Sequence, residues 1–383
     1  EAAQGADTLE TIAVLERALQ LIDEGRRAPH PGVLHMYIHT VEMSPHPERA
    51  LRGCDALRDL APDIGHLRHM PSHIDVLCGN YYAALVANDR AVEADRKYLE
   101  REGPINFYTL SRVHDLHFKL YAAMFLGQYR PALEAANELI ATTPEALLRV
   151  TSPSMADWLE GFVAMKLHVL VRFGKWQQIL DEPLPQDPVL YSVTNATLRY
   201  AKGVAHSARG EIPAAEAEQQ RFFEALAGVQ VSRRIFSNKC TDILAIAAAM
   251  LRGEIEYRKG NHELAFAHLR TAVELDDSLP FNEPWGWMQP VRHALGALLL
   301  EQGRVDEAVA VYRADLGLES TLSRVKRQPD NVWSLHGYVE CLRRLGRHDE
   351  LKSAQLRLDL AAARADAGIA ASCFCRVGHD CCG

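Results

Sequence analysis

The sequence has no apolar run approaching the roughly 18 residues needed to cross a bilayer. Its first residues also lack the basic-then-apolar order of a secretory signal. Positive charge is in short supply as well: 42 Lys and Arg stand against 50 Asp and Glu, a formal −8. The basic stripe that nucleic acid or an acidic membrane surface demands is missing, so neither is an expected partner. No Walker-type phosphate loop, no dinucleotide fingerprint after a strand and no Gly-x-Ser-x-Gly elbow occurs, which removes the commonest nucleotide-binding and serine-hydrolase chemistries.

Cysteine is sparse through most of the chain. Cys54, Cys78, Cys240 and Cys341 are scattered singly in helical text and read as small core residues, while Cys373, Cys375, Cys381 and Cys382 crowd the last eleven positions. A disulfide framework is not expected, which favours a reducing compartment, the cytoplasm.

What the chain does have is repetition. Strong helix formers dominate, and Gly-centred breaks recur at Gly79, Gly127, Gly174, Gly210, Gly260, Gly303 and Gly346, most followed by small apolar residues such as Ala83-Ala84-Leu85 or Ala132-Leu133. Each reads as the turn of a helical hairpin. The spacing of about 34 to 50 residues matches tetratricopeptide-type repeats. The expected fold is all-α: a right-handed superhelical solenoid of about eight hairpins over residues 1–366, followed by a cysteine-rich tail over 367–383. Residues 10–28 read as a lone second helix without its partner. A missing N-terminal segment, or a second subunit, is therefore expected to cap the first repeat.

With the turns as anchors, equal positions in successive first helices can be compared. One column reads His35, His69, His117, Ala164, Tyr200, Met250, His293, His336; four residues on, it reads His39, His73, Tyr121, His168, Val204, Glu254, Ala297, Glu340; three residues before the first lie His66 and His114 among others. Seventeen histidines in 383 residues would place about one in these slots by chance, whereas ten are there. In such solenoids these positions face the concave groove.

Histidines at i and i+4 on a helix can reach one ion, and neighbouring first helices lie close enough for imidazoles to converge. The expected ligands are His35, His39, His69 and His73, with His114, His117 and His168 enlarging the site or making a second one. Pro71 should start a helix near Met70, putting His69 at a helix end. Glu42 is placed to add a carboxylate or orient an imidazole, and Glu42, His114, Tyr121 and Arg172 are the candidates for catalysis. Further along, Arg172, Tyr200, Glu254, Arg258, Trp285, His293 and His336 would suit an anionic or peptide substrate. In the tail, Cys373 and Cys375 are spaced poorly for a mutual disulfide but well for a soft metal, with His379, Cys381 and Cys382 as extra donors. Imidazole with thiolate selects copper or zinc, with iron the next candidate.

Three functions compete on these residues. The first is a metal-dependent protein, an enzyme, with a small molecule or peptide in the groove. The second is a metal-free peptide-binding scaffold whose histidines make binding pH-sensitive. The third is metal storage or trafficking through the tail.

The strings His30-Pro31-Gly32-Val33-Leu34-His35-Met36-Tyr37-Ile38-His39, His69-Met70-Pro71-Ser72-His73-Ile74, Glu283-Pro284-Trp285-Gly286-Trp287-Met288-Gln289-Pro290-Val291-Arg292-His293 and Ser372-Cys373-Phe374-Cys375-Arg376 resemble a family of tetratricopeptide-repeat proteins of bacteria and fungi. The resemblance implies the solenoid and a longer N-terminus. It implies no reaction.

Overall fold

A computed structural model describes residues 7–376. Among them the chain is almost wholly helical, with twenty α-helices. Helix α1 (Thr8–Asp23) packs on α2 (Pro31–Glu42). Next come α3 (Leu51–Leu57), α4 (Gly65–His69), α5 (Pro71–Leu77), α6 (Tyr81–Glu102), α7 (Thr109–Phe125), α8 (Tyr129–Ala141) and α9 (Glu145–Leu148). The middle holds α10 (Met155–Val163), α11 (Met165–Arg172), α12 (Trp176–Asp181), α13 (Ser192–Ala208) and α14 (Ile212–Ala227). A two-stranded hairpin, β1 (Arg234–Ile235) and β2 (Asn238–Lys239), precedes α15 (Cys240–Arg258) and α16 (His262–Ser278). The last are α17 (Val291–Glu301), α18 (Val305–Asp315), α19 (Val332–Arg344) and α20 (His348–Ala362). Most consecutive helices touch along the described chain, among them α2 with α3, α5 with α6, α7 with α8, α11 with α12, α13 with α14, α15 with α16, α17 with α18 and α19 with α20.

The seven glycines expected at turns all take φ between 62° and 84°, the left-handed conformation that ends a helix and that a side chain resists. At Gly174 there is a second constraint, since a Cβ would lie 2.9 Å from Phe374 of the tail. Two boundaries differ from expectation. Helix α1 stops at Asp23 because Gly25 turns left-handed at φ 69°, and it has no buried residue. Helix α20 stops at Ala362 because Asp366 is drawn off to α8, where its carboxylate accepts from the first free backbone N–H groups, those of Tyr129 (2.5 Å) and Arg130 (3.1 Å).

Two apolar cores form. A small one joins α2, α3 and α5 through Leu34, Ile38, Cys54, Leu57 and Ile74, and a large one runs from α5 to α20 and includes Cys375. Cys54, Cys240 and Cys341 are buried as expected, and Cys78 is half-buried. The tail does not stand apart from residues 1–366: Asp366 and Ala367 donate backbone N–H to Gly127 O, and Trp333 donates Nε1–H to Met124 O at 2.8 Å, so late helices close onto early turns. No helix among the described residues is long and apolar enough to cross a membrane.

Candidate metal centre

Where the two cores meet, α2 presents His35, His39 and Glu42 one turn apart, α4 and α5 present His66, His69 and His73, and α7 presents His114. Met70 keeps helical angles (φ −48°, ψ −40°), so Pro71 interrupts hydrogen bonding without turning the chain. The His69/His73 pair therefore survives the break. Arg58 holds the second of these helices in place with a two-pronged bond to buried Asp75, at 2.8 and 2.9 Å. Gly65 lets α4 approach Asp95, since a Cβ there would come within 2.0 Å of its carboxylate.

The six rings form one patch. Centroids are 4.8 Å apart for His35/His39, 5.1 Å for His35/His66 and His39/His73, 4.8 Å for His69/His73, and 4.4 Å for His69/His114, with Phe118 stacked on His73 at 5.1 Å. Donor atoms lie within 4.8 Å of one another in three groups: His35, His39 and His66; His69, His73 and His114; and His39, Glu42, His73 and Glu283. Each can hold a metal ion, and His39 and His73 are shared.

Hydrogen bonding decides which nitrogens are free. Asn88 donates its amide N–H to Ala84 O at 2.8 Å, so its oxygen faces His69 Nδ1, also at 2.8 Å. His69 Nδ1 must then carry the proton, leaving Nε2 a bare lone pair. Glu42 accepts from His39 Nδ1 at 2.9 Å and from His73 Nδ1 at 2.7 Å, and Glu283 also lies 2.7 Å from His73 Nδ1. These rings too are turned with Nε2 outward. His69 Nε2 and His73 Nε2 thus face each other at 2.7 Å, and His35 Nε2 faces His66 Nε2 at 3.0 Å. In the His35/His66 pair either ring can donate N–H to the other, but in the His69/His73 pair both Nδ1 atoms are committed, so a further proton on His73 or a metal ion must lie between the two Nε2 atoms.

The charge balance allows either. Burial, joined by neighbouring imidazoles, holds His35 below its ordinary value, takes His66 down to about 4, and lowers His69 and His114 strongly. All four are neutral ligands at pH 7. His73 differs. Burial disfavours its charge, but the Glu283 and Glu42 carboxylates outweigh that and raise it to about 10. Burial works against Glu42 ionising, yet His73 and the bonds from the two imidazoles bring it to about 2. Behind His69, burial and Asp95 push Asp115 well above its ordinary carboxylate value, 3.5 Å from Nδ1.

The remaining expected residues lie elsewhere. His117 and His168 do not join the patch: His117 Nε2 meets Met288 Sδ at 2.9 Å, and His168 packs edge-on to Trp287 at 5.1 Å, both covered by the segment between Leu279 and Pro290. Tyr121 is buried, donating to Gln328 and stacked on Trp285, whose own Nε1–H goes to Val325 O. Arg172, buried, lies 3.8 Å over the Trp333 ring, donates to His293 Nδ1 (2.9 Å) and to Ser372 O, and is lowered to about 9 by burial. His293 reaches Asp315 with its other nitrogen at 3.1 Å. Glu254 pairs with Arg258 at 3.0 Å, beside buried Tyr200, and His336 is half-buried near Glu340. Arg172, Tyr200, Glu254 and His293 do meet, around an enclosed cavity of about 30 Å³ that Cys373 and Cys375 close.

One expectation needs correcting. Cys373 and Cys375 are bonded to each other, because a turn in the tail brings their Cα atoms to 5.2 Å, so neither offers a thiolate to a metal in this structure. His379, Cys381 and Cys382 lie outside the described residues.

Sequence reasoning missed three contributors. His66 stood in the third column and was passed over as a ligand; Glu283 arrives from a loop about 200 residues away; Asn88 sits on the second helix of its hairpin, where no column reaches. No protein-family model matches the chain, and no curated protein matches it.

Proposed function

We propose that this chain is a metalloenzyme built on a tetratricopeptide-like solenoid, with transition-metal ions, zinc or copper before iron, held by the imidazoles of α2, α4, α5 and α7. The observation that carries the reading is the pair of Nε2 atoms of His69 and His73, opposed at 2.7 Å while both Nδ1 atoms are committed to Asn88 and to two carboxylates. A carboxylate or amide behind each imidazole, fixing its tautomer, is the usual support of a metal-binding histidine. Nitrogen donors with few oxygens suit zinc, copper or iron and disfavour magnesium or calcium. Once an ion displaces the His73 proton, the three imidazoles of His69, His73 and His114 leave a coordination position open, the arrangement of a catalytic rather than a structural site.

A bound divalent ion there would supply Lewis acidity. The chain's own residues orient it: Glu42 ties α2 to α5 by holding both His39 and His73, and Glu283 brings the distant loop to the same ring. A peptide scaffold needs an open channel, and the buried pairing of Arg172 with His293 and Ser372 fills the half of the groove where a peptide was expected.

Elemental analysis of untagged protein tests this, combined with X-ray absorption of the bound ion. At least one zinc, copper or iron per chain in a nitrogen-rich shell is expected, lost in His69→Ala/His73→Ala. Stoichiometric metal that survives that double substitution, or no uptake of any of the three ions by wild type at pH 7.5, defeats the proposal.

A further inference from the structure

Beside the imidazoles lies a cavity of about 450 Å³, within the size range of small-molecule sites. His39, His66, His73 and His114 form one wall. The opposite walls are apolar, from Met43, Leu110, Phe236 and Phe281. The roof is assembled from two segments far apart in sequence: Ser237 donates its hydroxyl to Phe281 O at 2.6 Å and its backbone N–H to Asn282 Oδ1 at 3.4 Å, and Asn238 donates to Pro280 O at 2.9 Å.

Two features of this roof have no role in folding alone. Phe236 sits at φ 47°, a left-handed conformation that costs a non-glycine residue about 1–3 kcal/mol, and its ring is thereby placed 4.9 Å from His114. Asn282 is buried at 4% exposure with its Nδ2 donor unpartnered. The orientation of its amide is set by the Ser237 backbone N–H, which Oδ1 faces at 3.4 Å. A buried amide donor without an acceptor is costly, and a ligand atom can remove the cost.

We propose that this cavity binds the substrate, an uncharged and mainly apolar small molecule that carries a hydrogen-bond acceptor for Asn282 Nδ2 and turns its reacting end to the imidazoles. No Lys or Arg lines the cavity, and its one carboxylate, Glu283, is already engaged by His73, so an ionised ligand finds no free opposite charge. The proposal rests on the metalloenzyme reading for what happens to the ligand, although not for its binding.

Three probes of one shape test it: acetophenone, which carries a carbonyl acceptor, ethylbenzene, which does not, and benzoate, which is charged. Dissociation constants are measured by ligand-observed NMR on zinc-loaded and on EDTA-dialysed wild type, Asn282→Leu and Phe236→Ala. Acetophenone is expected to bind wild type on the order of fivefold more tightly than ethylbenzene, the worth of one neutral hydrogen bond. Benzoate should not bind the EDTA-dialysed protein. Asn282→Leu should abolish the preference and keep ethylbenzene binding, which also shows that the variant is folded, while Phe236→Ala weakens both. No binding of acetophenone to wild type, or a preference that persists in Asn282→Leu, overturns the proposal. Discrimination by a protein that takes up no metal would sink the metalloenzyme reading alone; stoichiometric metal without discrimination would sink this one alone.

Discussion

His69 and His293 each lie ten residues before a turn glycine, both are buried, and they end in opposite states. His69 has one nitrogen held by an amide and the other facing the Nε2 of His73. His293 has both nitrogens spent, one on the Arg172 guanidinium and one on Asp315. Equal register therefore places an imidazole without deciding its use. The N-terminal helices bring two carboxylates to His73 and set weakly basic rings around it, so several imidazole nitrogens there have no protein partner of opposite charge. Around His293, α11 brings an arginine and α18 an aspartate, so the charges close among themselves and the tail packs against them.

Breaking each histidine should expose that difference most strongly. His293→Ala leaves a buried guanidinium and a buried carboxylate without their shared partner, so a loss of roughly 3–5 kcal/mol is expected in urea unfolding, with metal per chain unchanged in whatever folds. On the other side, Asn88→Ala frees the His69 tautomer, and the affinity for zinc should fall by about 10–100-fold in a competitive chelator titration. Metal loss in His293→Ala, or full zinc affinity in Asn88→Ala, would erase the distinction between the two regions.

A smaller effect separates the regions by pH. Burial takes His117 down to about 3 and His168 to about 4, and neither touches the imidazole patch. Both stay neutral in the folded chain while the unfolded chain binds protons below about pH 6.5, so their contribution is intact above that pH and declines as pH falls. Between pH 6.5 and 5 each histidine should cost roughly 1.5 kcal/mol. Equilibrium unfolding of wild type and His168→Gln on metal-free protein measures it. A slope unaltered by the substitution would show that His168 is charged or exposed.

The turns and the columns were legible because both are local. A left-handed glycine and a four-residue spacing are set within one hairpin, so the turns and the convergence of His35, His39, His69, His73 and His114 could be read directly. The columns could not say which imidazoles would meet other partners: Met288 and Trp287 reach His117 and His168 from a loop more than 100 residues away, and Glu283 reaches His73 the same way. Nor does a solenoid repeat foretell how far its late helices curl back. Trp333 against Met124 and Asp366 on α8 are contacts across more than 200 residues, which no hairpin spacing announces.

The smallest expected change concerns that closure. Ser372 is buried, donates to His293 O at 2.8 Å, shares a 2.6 Å bond with Tyr312, and lends its own carbonyl to Arg172. Ser372→Ala keeps the carbonyl and removes the hydroxyl, leaving the Tyr312 phenol short of a partner, so a stability loss of about 1 kcal/mol is expected, with no change in metal content. Tail removal from residue 372 should likewise leave the histidine-bound metal in place, because the nearest described tail cysteines are bonded to one another and line a different cavity. Metal that departs with the tail would move the ion to the cysteines and reverse the assignment of the two halves.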